Sequence, residues 1–314
     1  VIVVPGALAG LAVTARAVAR PGDRALLESP TYPNAIATVQ HAGARIAGVD
    51  VDHRGWDAEQ VAATVRQLRP ALAYLIPDFQ NPTGALMPDD DRARIGSALT
   101  RARCTTIVDE SLVELRLDPV PMPLPFAAHA PGAVSLGSLS KPFWGGLRIG
   151  WVRAPEHLVT AVFKARLSLD LGAALFEQLV AVELLARPDE LLAERRRRLR
   201  PSRSAALAAI AEQLPEWQVA SPGGGLMLWC ELPAPVSTEL TLVAEGYDVL
   251  LAAGPAFAPE GGFDRFLRIP LTQPPEVLVE AIGRLRLAWD ELRSRAPSRG
   301  RPRRTDDRRT PVVA

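Results

Sequence analysis

Lysine is scarce in this chain of 314 residues. Only Lys141 and Lys164 occur among 36 basic side chains, and the other 34 are arginines. Either cation serves on a solvated helix face, so this bias should have replaced lysines that only carry charge. A guanidinium stays protonated, whereas an ε-amine can lose its proton and attack a carbonyl to form a Schiff base. We therefore predict amine chemistry at Lys141, and a solvated charge at Lys164 within a helical segment.

Cysteines and long apolar runs are also few. Cys104 and Cys230 lie far apart in predicted buried strands, which argues against a disulfide framework or a metal site. The histidines show no ligand spacing either: His41, His53, His129 and His157. No run approaches the roughly 18 apolar residues of a membrane span, and the start lacks a basic region leading into an apolar core. We expect a cytoplasmic protein without a metal, and the hydrophobic fraction of 48% can fill a core.

The net charge of +1 is unevenly distributed. Residues 293–314, "RSRAPSRGRPRRTDDRRTPVVA", carry eight arginines and two aspartates, whereas the preceding residues are mildly acidic. This segment has too few apolar residues to form a core, so we predict a basic disordered tail. A nucleic-acid-binding arm and a solvated extension are the two interpretations. The lack of interleaved aromatic residues favours the extension.

The first two thirds of the chain alternate short apolar runs with helical patterns. This order predicts an α/β fold with a largely parallel sheet flanked by helices. Helical periodicity is seen at 7–19, 32–43 and 89–102. The seven predicted strands are residues 1–4, 24–29, 45–52, 71–77, 105–110, 133–138 and 147–152.

The pattern changes after about residue 155. Residues 156–186 and 189–214 each predict one extended helical segment, the second broken or kinked near Pro201. Its "ERRRRLR" run is interpreted as a solvated helix face. Further strands and helices follow, so we predict a large domain over 1–188 and a smaller α+β domain over 189–292.

Polar and charged residues cluster at the ends of the predicted strands, where open α/β sheets bind ligands. The first strand runs through a glycine into a helix whose leading amides could face an anion. Within "SLSKPFWGGLR" two hydroxyls, an amine and a guanidinium lie close together. The candidates are Gly6, Ala7, Leu8, Asn81, Asp109, Ser138, Ser140, Lys141 and Arg148.

Together these groups match the needs of pyridoxal 5'-phosphate. The cofactor requires an amine for its aldehyde, a carboxylate for its pyridine nitrogen, a donor for its phenolic oxygen and donors around its phosphate. An exposed strand end or a helix cap is the alternative interpretation of Asp109 and Glu110.

The motifs resemble fold-type I pyridoxal-phosphate enzymes of the class I/II aminotransferase group over residues 1–292. "NPTG" resembles the turn whose asparagine contacts the ring oxygen and the substrate, and "IVDE" the strand whose aspartate pairs with the pyridine nitrogen. "SLSK…GLRIGW" is similar to the Schiff-base segment, "PTYPNA" to the segment whose aromatic ring stacks on the cofactor, and "FLRIPL" to the strand whose arginine clamps the substrate carboxylate. The resemblance implies catalytic roles for Lys141 and Asp109, and binding roles for Gly6, Ala7, Leu8, Tyr32, Asn81, Ser138, Ser140, Arg148 and Arg268.

Within that group the sequence is similar to the aminotransferase-like domain of MocR-type regulators of the GntR class. In those regulators a winged-helix domain precedes this fold. Against the family pattern, the chain starts at Val1 without an N-terminal arm, so we expect an N-terminally incomplete domain. Ser111 and Leu112 stand where a tyrosine is common, and Leu8 and Ala9 stand where glutamines often follow the phosphate turn.

The resemblance implies a pyridoxal-phosphate-dependent aminotransferase that acts on an amino acid, with an amino acid or oxo acid as substrate and a homodimer as the assembly. The alternative is a sensor domain of a transcriptional regulator that contacts DNA only through a domain absent here. A third interpretation is a degenerate fragment that cannot hold the cofactor. Tyr74, within an apolar strand, is predicted to be a core residue.

Overall fold

The structure is a computed structural model that describes residues 1–294. Almost all of the predicted basic tail therefore lies outside the described residues. None of the helices within residues 1–294 is long and apolar enough to cross a membrane. The cytoplasmic location stays a prediction.

A mixed sheet of eight strands forms the centre of the larger part. The strand order is β1-β8-β7-β6-β5-β2-β3-β4, and the five strands from β7 to β3 are parallel, whereas β8 runs antiparallel to both of its neighbours. The strands are β1 Ile2–Val4, β2 Arg24–Ser29, β3 Arg45–Asp52, β4 Gly55–Trp56, β5 Leu72–Leu75, β6 Thr105–Asp109, β7 Val134–Ser138 and β8 Gly150–Arg153.

All seven predicted strands are present, and the α/β class is confirmed. The count of seven misses β4, which pairs antiparallel with the end of β3 at the sheet edge. Two residues are too short to produce an alternating pattern in the sequence.

Helices cover both faces of this sheet. One apolar cluster joins α1, α2 and α6 to one face, and another joins α3, α4 and α5 to the other. The helices are α1 Ala7–Val18, α2 Pro33–His41, α3 Ala58–Leu68, α4 Asp89–Arg101, α5 Phe126–His129, α6 Glu156–Arg166, α7 Leu175–Ala186, α8 Pro188–Gln213, α9 Ser237–Glu245 and α10 Pro275–Ser294.

The two extended helices predicted after residue 155 need correction. The first segment forms two helices, α6 and α7, separated by residues 167–174. The second forms the single helix α8, which continues through Pro201 rather than breaking there. Pro201 is exposed, while Leu199 and Ser202 beside it are buried, so packing of this face holds the helix together.

A second, antiparallel sheet forms near the C-terminus, in the order β11-β12-β10-β9. It packs with α8, α9 and α10 around a separate apolar core that includes Trp217 and Trp289. The strands are β9 Gln218–Val219, β10 Met227–Glu231, β11 Ala252–Ala253 and β12 Phe266–Pro270. This is the predicted α+β unit; its boundary at 188/189 stays a prediction.

Parallel strands bring distant residues to one edge of the large sheet. Asp109 ends β6, Ser138 ends β7, and the turn at Asn81 follows β5, which lies next to β6. Strand β12 of the smaller sheet brings Arg268 to the same place, where it meets Asn81. The cavity at this edge contains the candidate site.

Candidate active site

A cavity of about 370 Å³ opens at this edge of the sheet. It is lined by almost all of the residues predicted from the sequence: Ala7, Leu8, Tyr32, Asn81, Asp109, Ser138, Ser140, Lys141, Arg148 and Arg268. Gly6 does not line it, although it lies directly against Arg148.

Lys141 lies three residues after the end of β7 and lines the cavity. Burial lowers the pKa of this amine, and the positive charges of Arg268 and Arg148 lower it further, although Asp109 opposes them. A lowered pKa means that more of the amine is unprotonated at a given pH. The site therefore shifts Lys141 towards its nucleophilic form.

A group of hydrogen-bond donors lies beside the lysine. The guanidinium of Arg148 donates through Nη1 to Ser140 Oγ at 3.2 Å, and the backbone N–H of Ser140 donates to Ser138 Oγ at 3.2 Å. The N-terminus of α1 adds Ala7 and Leu8 to the same wall. Two hydroxyls, a guanidinium and a helix N-terminus form a favourable site for a phosphate.

The backbone conformation at position 6 and the closeness of Arg148 explain why this residue is a glycine. Its φ of 88° lies in the left-handed region, and a Cβ there would come within 2.5 Å of Arg148 Nη2. The same Nη2 donates to Pro5 O at 3.0 Å. Glycine at this turn therefore lets the guanidinium approach the backbone at the start of α1.

Asp109 is held in place by two donors. The hydroxyl of Tyr74 donates to Oδ2 at 2.8 Å, and the backbone N–H of Ser111 donates to Oδ1 at 2.9 Å. Burial raises the pKa of Tyr74 well above its ordinary value, and the Asp109 carboxylate adds to this, so the phenol keeps its proton. Tyr74 is buried as predicted, but the description as a core residue misses this contact with the site.

Arg268 of β12 lines the cavity and contacts Asn81. Its Nη1 is 3.3 Å from Asn81 Oδ1, and its guanidinium carbon lies 4.9 Å from the centre of the Phe257 ring. Its Nε is buried without a hydrogen-bond partner. Burial lowers the pKa of Arg268 to about 10. A buried guanidinium with a free N–H is suited to bind a carboxylate.

Tyr32 lies at the start of α2, and its hydroxyl accepts a hydrogen bond from Asn34 Nδ2 at 2.8 Å. Burial raises the pKa of this phenol. Tyr32 follows the carboxyl end of β2 and lines the cavity, as expected for an aromatic residue that packs on a bound ring.

A buried carboxylate supports the turn that carries Asn81. Glu28 accepts hydrogen bonds from the backbone N–H of Ile76, from Trp56 Nε1 and from Gln80 Nε2, at 3.0 to 3.1 Å. Gln80 in turn accepts through Oε1 from both the N–H and the hydroxyl of Thr83. Burial raises the pKa of Glu28 to about 7, against the effect of its donors. This network was not predicted from the sequence.

The "ERRRRLR" run needs a second correction. Arg197 and Arg198 pair with Glu194 on an exposed face, and Arg196 pairs with Glu114. Arg195 instead lines the cavity. The sequence holds a signal for this position of Arg195, because the residue lies three residues after Leu192 and four before Leu199, and both leucines are buried.

The donor set fits pyridoxal phosphate. The cavity holds an amine of lowered pKa, a carboxylate oriented by Tyr74, the Asn81 amide as a donor, a group of donors suited to a phosphate, and an aromatic ring. The unpartnered Nε of Arg268 leaves a further position for an anion. Each chemical requirement of the cofactor therefore has a residue beside it.

Comparison with curated proteins identifies relatives of two kinds. The chain is 30% identical over 293 residues to a 2-aminoadipate transaminase of Thermus thermophilus, a match that covers 91% of this chain and 74% of the relative. It is 29% identical over 303 residues to YdfD, an HTH-type transcriptional regulator of Bacillus subtilis; that match covers 94% of this chain. The chain spans 62% of the regulator's length.

Solved structures share the fold. LysN, the alpha-aminoadipate aminotransferase of Thermus thermophilus, was solved with N-(5'-phosphopyridoxyl)-L-leucine and superimposes with a TM-score of 0.88 at 30% identity, covering 93% of this chain and 77% of LysN. A multiple substrate aminotransferase of Thermococcus profundus gives 0.86 at 27% identity, with 94% and 76% covered. These matches confirm the fold-type I architecture and indicate pyridoxal 5'-phosphate as the cofactor. The profile of the family "Aminotransferase class I and II" matches residues 1–285, so the chain belongs to the class I and II aminotransferases.

Proposed function

We propose that this chain catalyses transfer of an amino group between an amino acid and an oxo acid, with pyridoxal phosphate held covalently through Lys141. The observation that carries the proposal is the convergence of Lys141, Asp109 and Arg268 on one cavity. These residues come from two sheets and are distant in the sequence. The stability of the fold does not require these three groups to lie near one another. Their convergence is therefore better explained by a shared function than by packing.

The roles follow from the geometry. Bound pyridoxal phosphate supplies an electron sink that stabilises negative charge at the substrate's α-carbon. Arg148, Ser138 and Ser140 hold its phosphate, and Asp109, oriented by Tyr74, keeps the pyridine nitrogen protonated. Tyr32 packs against the ring.

The remaining residues handle the substrate. Arg268 holds the α-carboxylate, and Asn81, which already contacts Arg268, borders both the cofactor and the substrate. With the cofactor bound, the Lys141 amine would act as the base that takes the substrate's α-proton and, in its ammonium form, as the acid that delivers this proton to the cofactor's aldehyde carbon. Its lowered pKa suits this work because burial and the nearby guanidiniums shift the amine towards its unprotonated, basic form.

A sensor domain is the second candidate, and two observations favour it. YdfD and other relatives are named as regulators, and Ser111 and Leu112 line the cavity where a tyrosine is common. A sensor would bind the cofactor and an amine but would not complete the transfer.

Single-turnover spectroscopy separates the two candidates. The cofactor-loaded chain is mixed with a panel of amino acids, and conversion to the pyridoxamine form and its return with an oxo acid are followed by absorbance. An enzyme gives rapid conversion in both directions, and Lys141→Ala abolishes it. A spectrum that shifts on amine binding but never reaches the pyridoxamine form supports the sensor.

We also propose that two copies of the chain associate. Residues 163–185 expose an unusual number of large apolar side chains: Phe163, Leu167, Leu169, Leu171, Leu175, Phe176, Leu179, Val182 and Leu185. Patches of this kind mark protein interfaces. Helix α7 also packs through Ala181 against the cluster of Leu139, Leu147 and Ile149, which flanks Lys141, so a partner would lie near the site.

A further inference from the structure

Arg195 differs from every other arginine of α8. Arg196, Arg197, Arg198, Arg200 and Arg203 each donate to a carboxylate or a backbone carbonyl. Among residues 1–294, no hydrogen bond or ion pair is formed by Arg195, and its Nε is buried without a partner.

The position of Arg195 on the helix explains this isolation. It lies three residues after Leu192 and four before Leu199, which are both buried, so its side chain starts from the inward face of α8. Leu199 packs in an apolar cluster with Leu112 and Met227, which also line the cavity. Arg195 therefore lines the cavity together with apolar side chains, and it pairs with no described carboxylate.

This arrangement is costly without an anion. Burial lowers the pKa of Arg195, and the charge of Arg198 adds to the effect. The side chain of Arg195 is half-buried, and its Nε is fully buried without a partner, so this N–H loses its hydration without compensation. Surface arginines on the same helix avoid this cost by pairing with Glu194 and Glu114.

The charges that line the cavity do not balance. Lys141, Arg148, Arg195 and Arg268 are basic, whereas Asp109 is the one carboxylate among the lining residues. In the proposed function, the cofactor's phosphate pairs with Arg148, and the substrate's α-carboxylate pairs with Arg268. One guanidinium is left over.

We propose that Arg195 binds a second carboxylate of the substrate, so that the site prefers amino acids with an acidic side chain and the corresponding oxo diacids. This inference rests on the proposed function and names its substrate class. Two separate guanidiniums, each with an unpartnered buried Nε, suit two carboxylates at opposite ends of one molecule.

The test compares L-glutamate with L-glutamine, which differ in the side-chain charge and hardly in shape. We expect wild type to have the higher kcat/KM for glutamate. Arg195→Gln should lower the glutamate-to-glutamine ratio of kcat/KM by about ten- to hundredfold, the range expected for a lost hydrogen bond to a charged group. Arg195→Lys should retain part of the ratio, and Arg197→Gln, an exposed arginine on the same helix, should leave it unchanged.

Binding provides a second readout that does not require turnover. Glutarate and pentanoate are titrated into the cofactor-loaded chain by calorimetry, and Arg195→Gln should weaken only the dicarboxylate. An unchanged glutamate-to-glutamine ratio together with unchanged glutarate binding would overturn the proposal for Arg195. If neither amino acid reacts with wild type, the proposed function fails, whereas selective loss of glutarate binding would still support the anion site.

Discussion

At the scale of single residues, the site depends on side chains that orient other side chains. Tyr74 is fully buried, and its hydroxyl contacts Asp109 from the neighbouring strand. The carboxylate must face the cofactor's pyridine nitrogen, and a fixed donor on its other oxygen limits its rotation. Tyr74 is therefore a positioning residue rather than a catalytic one.

Tyr74→Phe should weaken pyridoxal phosphate binding by about ten- to hundredfold, because it removes one hydrogen bond to a charged group and keeps the ring that fills the core. The dissociation constant is measured by fluorescence titration, and the pH dependence of the bound cofactor's absorption band should shift. Tyr247→Phe, which removes a hydroxyl bonded to Glu291 in the smaller part of the molecule, is the matched control. Equal affinities in the two variants would contradict the role of Tyr74.

The residues found from the sequence are those whose chemistry is unusual for their local segment. Lys141 is conspicuous in a chain of arginines, and Asp109 ends an apolar strand. The roles of Tyr74 and Arg195 at the site were not predicted, because they depend on the strand order and on the inward face of α8. The spacing of Leu192 and Leu199 indicates which face of α8 points inward. However, neither the pairing of β5 with β6 nor the cavity that this face meets can be derived from local periodicity.

At the scale of elements, Glu28 of β2 ties three segments together. It accepts from Trp56 in β4, from the backbone just after β5, and from Gln80, which holds the turn before Asn81. Among the described residues that contact Glu28, none carries a positive charge. The ionised form is therefore stabilised only by dipoles.

Glu28 should make stability depend on pH. Burial raises its pKa from 4.5 to about 7 in the folded chain, so between these values the folded state holds a proton that the unfolded state has lost. The stabilisation is then fully present below about pH 4.5 and is lost as pH rises to about 7, a change on the order of 3 kcal/mol.

The free energy of unfolding of wild type minus that of Glu28→Gln should fall over this window, measured by urea denaturation at a series of pH values. Glu239→Gln, an exposed residue of α9, serves as the surface control. A difference that stays constant from pH 4.5 to 7 would mean that Glu28 does not change its protonation there.

Helix boundaries were the least predictable feature at this scale. The sequence favours a break at Pro201 because proline removes a backbone donor. In α8 the side chains of Leu199, Ser202 and Ala206 are buried on one face. Leu199 packs in the cluster with Leu112 and Met227, and Ala206 packs in the core of the smaller part. This packing outweighs the local cost of a proline inside the helix. Residues 167–174 are mostly small or apolar and gave no comparable signal for the gap between α6 and α7.

At the scale of the whole molecule, the exposed face of α7 supports association of two chains. Leu175, Phe176 and Leu179 are each more than half exposed. Phe176→Asp should convert a dimer into a monomer at micromolar concentration in sedimentation velocity, because it buries a charge in the proposed interface. Leu250→Asp changes an equally exposed residue outside this patch and should remain dimeric. A monomeric wild type in the presence of cofactor would exclude the proposed interface.

The central claim is that Lys141 attaches the cofactor, and the scarcity of lysine makes one measurement decisive. The chain is incubated with pyridoxal phosphate, reduced with borohydride, digested and mapped by mass spectrometry. Besides Lys141, the only side-chain amine is that of Lys164, with the N-terminal amine as a third position. We expect stoichiometric labelling of Lys141 and disappearance of the visible absorption band in Lys141→Ala. Labelling spread over all three amines, or centred on Lys164, would contradict the account.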